Sequence, residues 1–225
     1  MKQIIEIHLS NPIHLMSQMR IAGIDEAGKG PVIGPLVVCG VACSGNMIKK
    51  LSEIGVRDSK KLTSDKRKKI AEKLKKMLDW EVVVIHANEL DRMMGGKTVN
   101  EILKDCCVQI ISKLDPDVVY VDSFDVRPER LAGELEKLTG KKVIAKHRAE
   151  EEPIVAAASI IAKHTRDDII EQLKEKYGNF GSGYASDAIT RRWLEKKLMS
   201  GKIPDIVRKK WKTLDRIKQK SLWDY

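Results

Sequence analysis

The sequence predicts an α/β fold: a mixed central β-sheet flanked by helices, with a small helical region towards the C-terminus. Three features of the 225-residue chain carry this expectation. Two apolar runs meet at a glycine-rich turn, as in a hairpin, and later short apolar runs alternate with stretches of helical spacing. The last 35 residues then change character, with about 12 Lys and Arg against about 4 Asp and Glu, roughly +8 of the net charge. A hydrophobic content of 42% is ample for a packed core.

In chain order, residues 21–24 form a short apolar strand that ends on Asp25 and Glu26. The turn Ala27-Gly28-Lys29-Gly30-Pro31 leads into a long β-like run over residues 32–43. Residues 63–78 have helical spacing with heavy basic decoration, and Thr63 or Ser64 can cap the start. A strand follows at 81–85, then a helix over 98–114 that stops at Asp115-Pro116. A second alternating unit comprises a strand at 118–121 ending on Asp122, a helix at 128–138 with Gly140 behind it, and a strand at 142–145. A long helix is expected over 154–177. Its early Ala156, Ala157, Ala158, Ser159 and Ala162 allow close approach to a sheet. Asp187 caps a further helix to Leu198, and a last one is expected over 211–220. Residues 1–18 alternate apolar and polar in part and resemble no signal peptide. They read as an extension of unknown order, or as an upstream start.

The formal net charge is +10, from 42 Lys and Arg against 32 Asp and Glu. It favours polyanionic partners, although a merely lysine-rich protein explains charge alone about as well. Cys39, Cys43, Cys106 and Cys107 form no C-x-x-C pair, which argues against zinc. They read as small buried hydrophobes in a reducing, cytoplasmic setting. No apolar stretch is long enough for a membrane span.

The carboxylates carry the chemistry. Asp25, Glu26 and Asp122 end strands, and Glu150 follows one, so a sheet can bring them to one edge. Carboxylates gathered there repel unless cations sit between them, and hard oxygen ligands suit Mg²⁺ or Mn²⁺. Two such ions can clamp an in-line displacement at phosphorus. Solubility alone explains a single strand-end Asp122 more simply, but it explains an Asp-Glu pair just before a Gly-Lys-Gly turn less well. In that turn Gly28 and Gly30 permit close backbone approach to a phosphate or hydroxyl, and Lys29 adds charge. A G-K-G turn by itself is as readily a plain hairpin turn.

The run Gly23-Ile24-Asp25-Glu26-Ala27-Gly28-Lys29-Gly30-Pro31-Val32-Ile33-Gly34-Pro35 closely resembles the signature of ribonuclease HII, in which arginine is commoner at the lysine position. The resemblance continues, in the family's order, through Asp58-Ser59-Lys60-Lys61-Leu62, Val121-Asp122-Ser123, Ala145-Lys146-His147-Arg148-Ala149, residues 156–163, Gly181-Ser182-Gly183-Tyr184-Ala185-Ser186-Asp187 and Val207-Arg208-Lys209-Lys210-Trp211-Lys212. It implies a ribonuclease H-like fold and an endonuclease that cuts the RNA strand of RNA–DNA hybrids and 5′ to ribonucleotides embedded in duplex DNA. Two-metal-ion hydrolysis would leave a 5′-phosphate and a 3′-hydroxyl. Carried over by position, Asp25, Glu26 and Asp122 are metal ligands. Gly28, Lys29 and Gly30 inspect the 2′-hydroxyl, the group that distinguishes RNA from DNA. Tyr184 stacks on the sugar at the RNA–DNA junction, a residue that would otherwise read as a loop tyrosine packed on a helix. The family's fourth carboxylate is an aspartate. Here the position is Glu150, in a loop one residue shorter, with Glu151 as the alternative. Lys60, Lys61 and Lys163 are expected phosphate contacts, as are Arg208, Lys209 and Lys210. His147 and His164 are left without required roles.

The implied organisation is an extension over 1–18, a catalytic domain over 19–186, a helical region over 187–218 and a tail over 219–225. Within the tail, Gln219, Leu222 and Tyr225 fit the Q-x-x-(aliphatic)-x-x-(aromatic) pattern of peptides that dock on the sliding clamp PCNA. The pattern usually ends in two aromatics, and the alternative is that these residues fold back on the domain. A monomer is expected. Ribonuclease HIII is a poorer match, because 18 residues cannot make its extra N-terminal domain. A non-catalytic duplex-binding protein is the rival of another class. Convergence of Asp25, Glu26 and Asp122 separates it from the enzyme.

Overall fold

The computed structural model describes residues 17–56, 63–212, 214 and 217. Five strands form one mixed sheet in the order β3-β2-β1-β4-β5. They are β1 (Arg20–Ala27), β2 (Leu36–Ser44), β3 (Asp79–Ile85), β4 (Val118–Asp122) and β5 (Lys142–Lys146). The hairpin half is antiparallel: Asp25 stands opposite Cys39, and β2 pairs β3. The other half is parallel, with Ile24 opposite Val121 and Val121 opposite Ala145. The five strands thus combine a hairpin with crossovers, as the alternating sequence pattern implies.

Strand alternation sends side chains to two separate cores. On one face Ala22, Ile24, Val38, Val119 and Val121 meet α3 (Ala87–Met93), α4 (Val99–Leu114) and α5 (Pro128–Thr139). On the other, Ile21, Val37, Cys39 and Val41 meet α1 (Met47–Glu53), α2 (Ser64–Met77) and α6 (Pro153–Tyr177). The helices begin where capping chemistry allows. Thr63 Oγ1 accepts from the Lys66 amide at α2, and Thr98 and Glu101 form a reciprocal capping box at α4.

The small residues at the start of α6 serve the close approach expected of them. Residues 156–162 are fully buried, and a Cβ at Gly23 would sit 2.5 Å from the Ile154 backbone carbon. Helix and strand therefore touch backbone to backbone at the centre of the fold. A third core lies beyond the sheet. There Val32, Ile33, Ile170 and Phe180 pack with Leu194 of α7 (Ala188–Met199), Val207 and Leu214.

Two expectations change. The β-like run over 32–43 is a strand only from Leu36: Val32 and Ile33 are fully buried in a loop whose amides donate to the Gly183 carbonyl at 2.8 and 3.2 Å. An apolar run reports burial, and here a loop is buried against the C-terminal region rather than against a neighbouring strand. Two seven-residue helices, α1 and α3, were not expected, being too short to show a period. Asp187 caps α7 as read, accepting from the Ile189 amide at 2.9 Å. Of the expected last helix, Lys212, Leu214 and Ile217 are helical, and the rest lies outside the described residues. The four cysteines are buried free thiols. No helix among the described residues is long and apolar enough to cross a membrane.

Candidate active site

Adjacent parallel strands place the first carboxylates. Ile24 of β1 is level with Val121 of β4, so Asp25 and Asp122 leave neighbouring strands side by side, about 4.8 Å apart in backbone spacing. By alternation both join the α6 face, while Glu26 turns to the other. On α6, Ser159 and Lys163 are one turn apart beneath Asp25. Lys163 Nζ donates to Ser159 Oγ at 2.8 Å, and the Ser159 hydroxyl hydrogen-bonds to Asp25. The Asp25 carboxylate also accepts the Glu26 amide at 2.7 Å.

Burial dominates the electrostatics. Desolvation pushes the Asp25 carboxyl up to about 6, and Asp122 adds to this against the opposing pull of Ser159 and Lys163. Glu26 is pushed up to about 8, by burial first and then by Asp25, with Lys29 opposing. Asp122 is raised by burial, and Glu150 adds to it. The three are therefore an under-neutralised set, raised first by burial and then by their acidic neighbours.

Glu150 sits on a 3₁₀ turn, Ala149–Glu151, tied to the site because the Ala149 amide donates to Asp122 Oδ1 at 2.7 Å. Of the three consecutive glutamates, Glu150 is half-buried and its charge acts on Asp122. Glu151 is exposed, and both it and Glu152 act on Lys146.

The carboxylate set suits a hard cation, because each member is raised by desolvation or by an acidic neighbour and a cation would relieve both. Among the described residues no group of three or more His, Cys, Asp and Glu is spaced to hold a metal ion by itself.

Next to the carboxylates lies an open cleft of about 400 Å³. Glu26, the Gly28-Lys29-Gly30 turn, Lys163 and Tyr184 line it, together with Arg67, Arg166 and Asp167. Two hollows of similar volume elsewhere, about 420 and 460 Å³, hold none of these residues, so chemistry and not size singles this one out. Lys29 reaches back to the Phe124 carbonyl at 3.0 Å, just beyond Asp122. Tyr184 is exposed, with the Arg166 guanidinium 5.7 Å from its ring centre.

The two glycines of the turn differ. Gly28 has φ +89°, and a Cβ there would lie 2.5 Å from the Pro35 carbonyl oxygen and from Arg166 Nε. Gly30 carries no such demand: its Cβ would meet only Tyr184, at an ordinary 3.5 Å. Folding requires the first glycine. The second leaves space in the cleft.

A match to the family model for Ribonuclease HII spans residues 22–214. The ribonuclease HII of Archaeoglobus fulgidus is 55% identical over 205 residues, covering 91% of this chain and 99% of that one. The chain belongs to the ribonuclease HII family. Its fold is the ribonuclease H-like fold of solved members. The ribonuclease H2 of Pyrococcus horikoshii superposes with a TM-score of 0.84 at 43% identity, covering 91% of this chain and 99% of that one. The A. fulgidus enzyme, solved as a PCNA:RNase HII complex, gives 0.86 at 54% identity, covering 91% and 100%. As a member, this chain is a ribonuclease H, an endonuclease of RNA–DNA hybrids from a divalent-metal-dependent family.

For this ribonuclease HII, one expected phosphate contact is corrected. Arg208 is 0% exposed and spends its guanidinium on backbone carbonyls, so it cannot meet a phosphate in solvent. Lys209 and Lys210 are exposed, and both their amides donate to Asp91. His164 stands 3.4 Å from Asp168 on α6. Lys60, Lys61, Gln219, Leu222 and Tyr225 lie outside the described residues. Ser159 and Arg166 went unread as site residues. Ser159 left a faint trace in its i, i+4 spacing to Lys163, whereas nothing local marks Arg166.

Proposed function

We propose that this ribonuclease HII cuts 5′ to single ribonucleotides in duplex DNA as well as within hybrids, and that Asp25, Glu26, Asp122 and Glu150 are its metal-holding carboxylates. The observation that carries the reading is the meeting of Asp25 and Asp122 on adjacent strand ends, beside a cleft lined by the turn and Tyr184. A non-catalytic duplex binder gains nothing from buried carboxylates that raise one another. Divalent ions held by Asp25, Glu26, Asp122 and Glu150 would supply Lewis-acid stabilisation of charge at phosphorus and activation of water.

The chain's own groups do the rest. Lys163, held by Ser159, presents a cation to the scissile phosphate. The Lys29 and Gly30 backbone inspects the 2′-hydroxyl, the one group a deoxynucleotide lacks. Tyr184 offers its exposed ring to the adjoining sugar. Attack of water on phosphorus with departure of the 3′-oxygen leaves a 5′-phosphate and a 3′-hydroxyl.

The test is cleavage of a labelled duplex carrying one ribonucleotide, with Mg²⁺ or Mn²⁺, beside Asp25→Asn. A single metal-dependent cut 5′ to the ribonucleotide, reduced on the order of a thousandfold in the variant, is expected. Binding without any cut under either metal would return the rival reading.

The tail carries a separate proposal, that Gln219, Leu222 and Tyr225 dock on PCNA. It is supported by their spacing and by the clamp complex of the A. fulgidus relative. Deleting residues 219–225 should abolish clamp binding and leave cleavage of short hybrids intact.

A further inference from the structure

Arg208 lies in the segment after α7, 180 residues from the turn it serves, and no part of it is exposed. Its guanidinium donates to the carbonyls of Gly28 at 2.7 Å, Lys29 at 3.4 Å and Gly34 at 3.0 Å, and it stacks 4.7 Å from the Trp211 ring centre. Burying a cation is costly, and an apolar residue of equal volume would fill the space more cheaply. What an apolar residue lacks is a planar fork that takes two consecutive carbonyls in fixed directions.

Those two carbonyls decide where the turn's donors point. A peptide unit is planar and, throughout the described residues, trans, so each N–H points opposite to the preceding C=O. With the Gly28 and Lys29 carbonyls drawn onto Arg208, the N–H groups of Lys29 and Gly30 point away from it. Arg208 stands behind the turn and is no part of the cleft lining, whereas Gly28, Lys29 and Gly30 line the cleft directly. Arg166 supports the same loop from α6, donating to the Ile33 and Pro35 carbonyls and packing beside Gly28, but it takes neither of the two carbonyls in question.

We propose that Arg208 is a positioning residue for ribonucleotide recognition: by holding the Gly28 and Lys29 carbonyls it pre-orients the Lys29 and Gly30 amides towards the 2′-hydroxyl. The inference rests on the proposed reading of the turn. It makes the C-terminal segment part of specificity, acting through the turn and not through contact with nucleic acid.

The experiment compares binding of two fluorescent duplexes, identical except for one ribonucleotide, to the Asp25→Asn protein in Mg²⁺, with and without Arg208→Lys. Lysine keeps the charge but not the fork. The expected result is that preference for the ribonucleotide duplex falls about five- to tenfold towards unity while affinity for the all-DNA duplex holds. Leu194→Ala, in the same third core, serves as the control for a purely structural loss and should keep the preference. Trp211→Ala removes the stacked ring, which also packs against two of the cores, and if Arg208→Lys fails to fold it carries the test, read against Leu194→Ala, with a smaller drop. A preference undiminished in the Arg208 and Trp211 variants overturns the role of Arg208 and leaves the reading of the turn standing. A parent protein with no preference at all overturns the reading of the turn and the inference with it.

Discussion

Two neighbouring parts of the site follow opposite electrostatic plans. At the ends of β1 and β4, the buried Asp25 and the half-buried Glu26 and Asp122 stand beside one another, and each is raised by desolvation or by an acidic neighbour. A few residues on, the Gly28-Lys29-Gly30 turn rests on two buried arginines whose charge is met by carbonyl dipoles. Burial drives Arg208 down to about 9, but within the protein its donors already have acceptors. The carboxylate half leaves negative charge for a cation to offset, whereas the arginine behind the turn has its donors met within the protein. On the proposed reading, a hydrolase that gathers ions and inspects one hydroxyl would gain from this division. Flexibility in the ion set is tolerable, but in the inspecting amides it would blur discrimination.

The sharpest way to break the comparison is Gly28→Ala. A positive φ and a 2.5 Å approach to the Pro35 carbonyl oxygen leave no room to relax. A loss of about 3 kcal/mol is expected in urea unfolding, enough to compromise folding and activity together. Gly30→Ala should separate them. Its Cβ meets nothing closer than 3.5 Å, so stability should stay within about 0.5 kcal/mol. Cleavage at a single ribonucleotide should nevertheless fall on the order of tenfold, because the methyl occupies space the sugar needs. Equal stability and equal activity would detach the turn from substrate.

The carboxylate half yields a smaller effect, with a definite sign. The native Asp25 and Glu26 pKa values, about 6 and about 8, exceed the ordinary 3.8 and 4.5. Between these limits the metal-free native state holds protons that the unfolded chain releases. Its stability therefore falls as pH rises from about 4 to about 8. In chelator, the melting temperature should drop by about 5 °C over that range. Asp25→Asn should flatten the drop, and added Mg²⁺ or Mn²⁺ should stabilise more at pH 8 than at pH 5. A melting temperature that rises with pH would refute the electrostatic account.

Much of the fold was legible because its period is local. The strand ending on Asp122, the Thr63 cap, the small-residue start of α6 and the Asp187 cap are each written within a few residues. The loop at Val32 and Ile33 was misread, because an apolar run reports burial without naming what covers it. The cover comes from Gly183 and Val207. Arg208 was misread for the same reason. In a basic segment its charge looks like its neighbours', and only the packed structure separates it from the exposed Lys209.

By itself the sequence determined the alternation of strands and helices, the family signature and the identity of the acidic residues, since periodicity and side-chain chemistry need no third dimension. Tertiary structure alone decided that Asp25 and Asp122 stand level on adjacent strands, that the charge of Glu150 acts on Asp122, and that Arg208 lies behind the turn. Each of these depends on strand register or on a contact across many residues, and such contacts are set by the packing of the whole sheet against its helices.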